Sequence, residues 1–437
     1  MKIDELVRNA GVVGAGGAGF PAHVKAASHV DFVIANGAEC EPLLHKDYEV
    51  MLHLAERVVR GVRLLMNATG ARKGIIGIKE KNAKAIAALT AALDGDDVRL
   101  HLLGDFYPSG DEYILVYEAT GRLIPPQGIP LDVGIVVSNV ETLVNVSAAA
   151  DGTPVTRKFV TIAGAVNQPT TFVAPVGMSF RDAIAVAGGA GVDEFSVFVS
   201  GIMMGKLETD LDLPITKTCA GLVVLPQEHT LVRRKGQPEQ NMHRIGKSAC
   251  DQCSFCTELC PRFTLGYDVQ PHKVMRSLGF TQSGESIWNQ YASLCCGCGL
   301  CTLYACPEDL FPKEACDKSK RELKAAGAAW DGPKTVTPHP MYEYRRTPLK
   351  QLVARLGLVD YDVPTPFVAD TPSPARVTIP LAQHIGAPAV AAVRAGETVR
   401  EGQLVGEIPG GALGARVHAS IPGVVVSVGD TVVISRA

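Results

Sequence analysis

The sequence holds twelve cysteines, most of them in two short runs whose spacing can do redox chemistry. The first run is Cys250-x-x-Cys253-x-x-Cys256-x-x-x-Cys260-Pro261, the spacing with which bacterial ferredoxins ligate [4Fe-4S] clusters. Three thiolates two residues apart wrap one face of a cubane, and a turn carries the fourth away to serve the other cluster. The second run, Cys295-x-x-Cys298-x-x-Cys301-x-x-x-x-Cys306-Pro307, is one residue longer before its last cysteine. The runs complement each other, so Cys250, Cys253, Cys256 and Cys306 are expected to hold one cluster, and Cys295, Cys298, Cys301 and Cys260 the other. Cys296 adjoins a ligand and is an alternative to Cys295. Structural zinc is the competing chemistry, but zinc usually takes separated C-x-x-C pairs rather than triplets. Cys40, Cys219 and Cys316 stand alone and read as small packed hydrophobes or free thiols.

A second constellation is built on glycine. Gly14-Ala15-Gly16-Gly17-Ala18-Gly19 matches G-x-G-x-x-G, but only Val12-Val13 precede it where the dinucleotide fingerprint needs a full strand. The loop still offers backbone N–H groups without side chains, leading into a helix from Pro21 with Lys25 one turn on, which suits a phosphate. Asn36-Gly37-Ala38-Glu39-Cys40-Glu41-Pro42 and Ser138-Asn139-Val140-Glu141-Thr142 each close an apolar run with short polar side chains. At strand ends such groups can reach ring nitrogens and ribose hydroxyls. Singly, each reads equally as a turn or a cap; beside the glycine loop they suggest one site. Gly246-Lys247-Ser248 has Asn241 where a Walker motif needs glycine, and is set aside.

These residues need elements to hold them, and 437 residues suffice for about three or four domains. Residues 1–156 alternate strand-like runs (Val30–Ala35, Gly74–Ile78, Ile135–Ser138) with helix-like stretches (Glu49–Met66, Asn82–Leu93), which predicts an α/β, Rossmann-like layer domain with a largely parallel sheet. Residues 157–235 read as a small mixed module with a short helix near Phe180–Ala187. Residues 236–330 place the cysteines in short helical patterns that metal must help organise. Residues 331–374 read as a Pro-rich linker around one helix near Leu349–Leu356. Residues 375–437 read as an all-β sandwich with a half-repeat, Ala395-Gly396-Glu397-Thr398-Val399 and Val428-Gly429-Asp430-Thr431-Val432.

Composition narrows the function classes. Hydrophobic residues at 46% and charged residues at 20% are ordinary globular values. A net charge of -3 gives no general attraction for nucleic acid or anionic lipid, and Arg233, Arg234 and Lys235 read as a solvated surface turn. No apolar run approaches the roughly 18 residues of a membrane span. Acids at Asp4 and Glu5 stand where a secretory signal would be apolar, so a reducing, cytoplasmic setting is expected.

At the glycine loop and strand ends the sequence resembles the flavin- and NADH-binding subunit of respiratory complex I. Gly14 to Pro21 match G-x-G-G-x-G-F-P, Asn36 to Pro42 are similar to N-A-D-E-x-E-P, and Asn139 to Thr142 match the end of N-N-V-E-T, with Ala15 for an arginine, Ala38 for an aspartate and Ser138 for an asparagine among the departures. Tyr107-Pro108-Ser109-Gly110-Asp111-Glu112 is similar to Y-x-x-G-E-E. Over nearly its whole length the chain resembles the RnfC-type proteins of Rnf electron-transport complexes, and more closely the PduS-type cobalamin reductases of bacterial microcompartments. In both families a flavin domain is followed by a β-grasp (SLBB) module and an α-helical two-cluster ferredoxin domain. Ile379 to Pro388 are similar to a segment at the amino terminus of the Rnf protein, but lie near the carboxyl end here, as in the PduS type. That C-terminal barrel-sandwich hybrid also resembles lipoyl and biotinyl carriers, yet no lysine follows Lys350 to carry such a group.

The resemblance implies an NADH-dependent reductase passing electrons through FMN and two [4Fe-4S] clusters to cobalamin, inside a microcompartment such as that for propanediol utilization. It implies a cobalamin-handling adenosyltransferase or a shell protein as partner. An Rnf-like electron-transfer protein serving another acceptor, or a non-enzymatic iron–sulfur carrier, are the alternatives. By resemblance, Gly14, Gly16, Gly17, Lys25, Asn36, Asn139 and Thr142 contact FMN, and Glu39, Tyr107 and Asp111 belong to the same cofactor site. Phe20, Glu41 and Glu112 would face the nicotinamide dinucleotide, Glu41 and Glu112 in catalytic roles.

Overall fold

The computed structural model describes residues 1–279, 289–370 and 372–436. Its first layer is a four-stranded parallel sheet in the order Val98–Leu103, Lys73–Lys79, Phe32–Gly37, Ile135–Asn139. The inner strands are apolar on both faces, as a sheet covered on both sides requires. On one face the helices Ala55–Thr69 and Val140–Ala150 pack through Val58, Val62, Leu65, Leu143 and Val146. They approach closely at Gly61, where a Cβ would stand 2.2 Å from the Leu143 carbonyl oxygen. On the other face, Glu112–Thr120 packs Leu115, Val116 and Ala119 over Ile34, Ile75 and Val137.

Two local features depart from expectation. The single helix expected over Glu49–Met66 is two, Lys46–His53 and Ala55–Thr69, separated at Leu54 (φ −128°, ψ 31°). The break lets the first helix begin beside the end of Phe32–Gly37 while the second lies along the sheet. The edge strand Val98–Leu103 was not anticipated, because Arg99 and His101 interrupt its apolar pattern.

Next in the chain, a mixed sheet of Arg157–Gly164, Thr170–Pro175, Phe195–Val199, Lys206–Glu208 and Gly221–Pro226 packs with the helix Phe180–Val186 through Val160, Ile162, Phe172, Phe180 and Ile184. The Pro-rich stretch is fastened rather than free: Thr347–Pro348 pairs with Phe106–Tyr107, and Phe367–Val368 adds an edge to the mixed sheet beside Thr171 and Phe172. Arg233, Arg234 and Lys235 are not a solvated turn but the last turn of the helix Thr230–Lys235. Arg233 is exposed, while Arg234 donates to the Thr302 carbonyl and Lys235 to those of Met203 and Gly205, because each cation there satisfies loop carbonyls.

The cysteine region is a set of short helices, including Glu239–Ala249, Pro261–Thr264, Pro271–Ser277 and Pro312–Ala325; residues 280–288 of the expected ferredoxin-type domain lie outside the described residues. The C-terminal part is two small sheets closed around Val377, Ile379, Val405, Val417, Val425 and Ile434. Among the described residues no helix is long and apolar enough to cross a membrane.

Candidate functional site

A cavity of ≈ 530 Å³ opens at the carboxyl ends of Phe32–Gly37 and Ile135–Asn139, where parallel sheets bind ligands. Every residue expected at the flavin and dinucleotide site lines it: Gly14, Gly16, Gly17, Phe20, Lys25, Asn36, Glu39, Glu41, Tyr107, Asp111, Glu112, Asn139 and Thr142. Other domains supply the remaining wall through Ser200, Met204 and Ala220, through Cys296 and Cys298, and through Ile385.

The glycine loop is held against the strand ends. The Ala15 N–H donates to Thr142 Oγ1 (2.9 Å), and a Cβ on Gly16 would stand 2.8 Å from Asn139 Nδ2. A Cβ on Gly17 would meet nothing within 4 Å, so the backbone there borders open space of the kind a phosphate and ring can occupy. Asn139 caps the helix Val140–Ala150, its Oδ1 accepting from the Glu141 N–H (3.0 Å), while its Nδ2 donates to Asp47 Oδ2 (2.8 Å). Asn36 donates to the Gly110 carbonyl (2.9 Å). Lys25 Nζ donates to the Val137 carbonyl (2.7 Å), lies 5.8 Å from the Phe20 ring centroid and 3.8 Å from Glu112 Oε1. This bare, cation-bordered cradle fits a flavin phosphate.

Beneath the cavity lies a buried ionic network that the sequence reading missed. Lys46 Nζ sits 2.5 Å from Asp47 Oδ1 and 3.1 Å from Glu141 Oε2, and Glu141 also pairs with the buried Lys158 of the next module. Burial would raise Glu141, but the two lysines hold its carboxyl below the usual range. Burial lowers Lys158, which shares that one carboxylate with Lys46. A lone lysine in the apolar strand Arg157–Gly164 was the available signal. Glu39 accepts the N–H groups of Asp47 and Tyr48 and is pushed up to about 8, by burial first and then by the Asp47 carboxylate.

Three cavity residues are engaged with neighbouring domains. Both Glu41 oxygens accept backbone N–H groups, from Met203 (3.0 Å) and Met204 (2.9 Å). Asp111 caps the helix Glu112–Thr120 and pairs with Arg262 Nη2 (2.8 Å), whose guanidinium lies 3.5 Å from the Tyr113 ring centroid. The Tyr107 hydroxyl donates to the Cys298 carbonyl (2.6 Å).

The cysteines form two groups. Cys250, Cys253, Cys256 and Cys306 line one small pocket, so the last cysteine of the second run joins the first three of the first run. Cys260 in turn neighbours Cys295, Cys296, Cys298 and Cys301. Backbone N–H groups of Leu310 and Gly297 point at Cys306 Sγ (3.4 Å) and Cys295 Sγ (3.3 Å). Among the described residues no three His, Cys, Asp or Glu side chains group tightly enough for a single metal ion. Each group gathers thiols from both runs, as two-cluster ferredoxin ligation requires, so the two cysteine groups fit clusters. Both Cys295 and Cys296 lie in the second group, and Cys296 and Cys298 bring that group to the wall of the large cavity.

Family models match four parts of the chain: the Nuo51 FMN-binding domain at residues 7–148, the SLBB domain at 159–204, a 4Fe-4S dicluster domain at 249–311 and the RnfC barrel sandwich hybrid domain at 365–437. The mixed α/β architecture is therefore the expected one, a flavin-domain fold followed by SLBB, dicluster and barrel-sandwich modules. Cobalamin reductase PduS of Salmonella typhimurium is 46% identical over 98% of this chain and 95% of its own length. A component of the proton-translocating ferredoxin:NAD(+) oxidoreductase complex of Clostridium ljungdahlii is 37% identical over 59% of this chain and 55% of its own. Among solved structures, the NAD+-reducing [NiFe]-hydrogenase in the H2-reduced state aligns with a TM-score of 0.49 at 22% identity, over 74% of this chain and 60% of that chain.

Proposed function

The chain belongs to the PduS-type cobalamin reductase family, and from that premise we propose that it passes electrons from NADH, through FMN in the large cavity and two [4Fe-4S] clusters on the eight cysteines, to cobalamin. It is an oxidoreductase with an FMN-binding domain and a 4Fe-4S dicluster domain. The observation that supports the route best is the shape of the cavity: the glycine loop forms one wall and Cys298 of the second cysteine group another. Bound there, FMN supplies the conversion of a two-electron hydride into single electrons that iron–sulfur clusters can carry.

In this reading the chain's own residues have separable tasks. Gly14, Gly16 and Gly17 bring bare backbone to the phosphate, and Lys25 adds a positive charge. Thr142 fixes the loop through Ala15, while Asn36 and Asn139 border the space for the ring. Phe20 and Glu112 stand where a dinucleotide enters, with Glu112 orienting the ribose and nicotinamide. Glu39 braces the start of the helix Lys46–His53 by accepting the Asp47 and Tyr48 N–H groups. Glu41, Asp111 and Tyr107 act one step removed, locking the mixed module and the cysteine loops against the cavity. The setting we propose is cytoplasmic, within a microcompartment, with an adenosyltransferase or a shell protein as partner.

The test is an anaerobic assay of iron-loaded protein. NADH should bleach the flavin absorbance and then reduce added cob(III)alamin. Protein that holds FMN but is not bleached by NADH would defeat the reading. Bleaching without cobalamin reduction would favour an Rnf-like role with another acceptor, in line with the 37% identity to the Clostridium ljungdahlii protein.

A further inference from the structure

The C-terminal sandwich carries no assigned chemistry, yet it packs against the chain at Gly11, just before the glycine loop, and at Gly19, the last residue of the loop. At the first contact Gly11 (φ +67°) packs so closely that a Cβ would stand 2.2 Å from the Arg416 carbonyl oxygen. The buried Lys217 ammonium bridges the two backbones, donating to the carbonyls of Gly11 (2.8 Å) and Arg416 (2.7 Å). At the second a Cβ on Gly19 (φ +76°) would lie 3.0 Å from His384 Cα and 3.1 Å from the Gln383 carbonyl oxygen. Gln383 Oε1 also accepts the Lys217 N–H (2.9 Å). This contact delivers the next residue, Ile385, to the cavity wall, where it is 47% exposed.

Two other large aliphatic side chains on the cavity wall are also half open to solvent. Ile129 of the first domain is 52% exposed and Met204 of the mixed module 56%, and both line the cavity. A side chain that lines a cavity and is half open to solvent stands at its mouth. The mouth thus carries exposed aliphatic groups from three domains, above a polar floor that includes Asn36, Asn139 and Glu39. Exposed apolar groups around one cavity mark a binding surface.

Resting on the reading that NADH reacts in this cavity, we propose that Ile129, Met204 and Ile385 form the subsite for its adenine base, with the C-terminal sandwich supplying one wall. The nicotinamide must reach the floor, and the pyrophosphate that joins the two halves leaves the other base at the mouth. A purine face gains by leaving water against aliphatic carbon and needs no hydrogen bond there.

The test uses full-length, FMN- and iron-loaded protein and two donors, NADH and reduced nicotinamide mononucleotide, which lacks adenine. In Ile385→Ser the NADH concentration for half-maximal flavin bleaching should rise about tenfold, the scale of one lost apolar contact. The limiting bleaching rate, FMN content and iron content should match wild type, and Ile129→Ser should repeat the result. The mononucleotide should bleach wild type and Ile385→Ser with the same concentration dependence. Val390→Ser, 60% exposed on the same domain and not lining the cavity, should leave both donors unaffected. Wild-type NADH dependence in Ile385→Ser, or an equal loss with the mononucleotide, overturns the subsite. Wild-type protein that holds FMN but is bleached by neither donor removes the reading beneath it, a failure visible before any variant is made.

Discussion

Gly16 and Gly17 are equivalent in the motif but not in space, and substitution should separate them. A Cβ at position 17 meets no protein atom within 4 Å, so Gly17→Val should keep the melting temperature and lose FMN by filling the cavity. Valine at position 16 collides with Asn139, the cap of Val140–Ala150. Gly16→Val should therefore lose FMN and, through the displaced cap, about 1 kcal/mol of stability. FMN content and thermal melts of the two variants check this, and stoichiometric FMN in either contradicts the placement of the phosphate. The two acids are likewise distinct. Glu112 lies 3.8 Å from Lys25 on the cavity wall, and Glu112→Gln keeps its size but not its charge. Bleaching by NADH should slow by about ten- to a hundredfold, since small errors of geometry are costly in hydride transfer, while dithionite still reduces the clusters. Wild-type bleaching rates would remove Glu112 from the site. The sequence identified all of these residues as cavity residues, because each is local to a motif. It could not reveal that Glu41 spends both oxygens on Met203 and Met204, 162 residues away along the chain in the first case.

The elements meet over the ionic network, and its titration gives a pH prediction. Glu141 is depressed in the folded protein, so its contribution to stability is present above the unfolded carboxyl range and is lost as pH falls through the folded value. Lys158→Met removes one of its two cations from a buried pair, which should cost about 3–5 kcal/mol. It should also move the acid unfolding midpoint to higher pH, because the remaining Lys46 holds Glu141 less strongly. Melts from neutral to acid pH read both, and an unchanged midpoint would mean the network carries no load. The strands that position this network were legible: the apolar runs at Gly74–Ile78 and Ile135–Ser138 match buried strands of the sheet. What was not legible is long-range. Nothing at Leu54, neither proline nor glycine, marks the break that brings Lys46 and Asp47 to the cavity. The pairing of Thr347–Pro348 with Phe106–Tyr107 and of Phe367–Val368 with Thr171 and Phe172 likewise depends on partners remote in the chain rather than on local pattern.

At the scale of the whole molecule the cavity and the two cysteine groups form a series, and their order gives the last prediction. Cys298 lines the cavity and its carbonyl accepts the Tyr107 hydroxyl, so the second group stands beside the flavin site. Cys260 belongs to that group although it ends the first run, and Arg262, two residues on, is tied to Asp111 at the cavity. Cys250, Cys253 and Cys256 with Cys306 form the other group, in which Cys253 is exposed. Cys260→Ser should therefore damage the cluster held by Cys295, Cys298 and Cys301 and spare the one beside it in sequence, leaving about half the iron. NADH should still bleach the flavin in this variant but should no longer reduce the surviving cluster, because the inner station is gone. Cys306→Ser should give the converse: the outer cluster is lost, about half the iron remains, and NADH reduces what is left. Iron analysis with electron paramagnetic resonance of the NADH- and dithionite-reduced variants distinguishes the two. Loss of the Cys250-to-Cys256 cluster in Cys260→Ser would show that each run closes on itself, and equal reduction by NADH in both variants would show that the groups do not act in series.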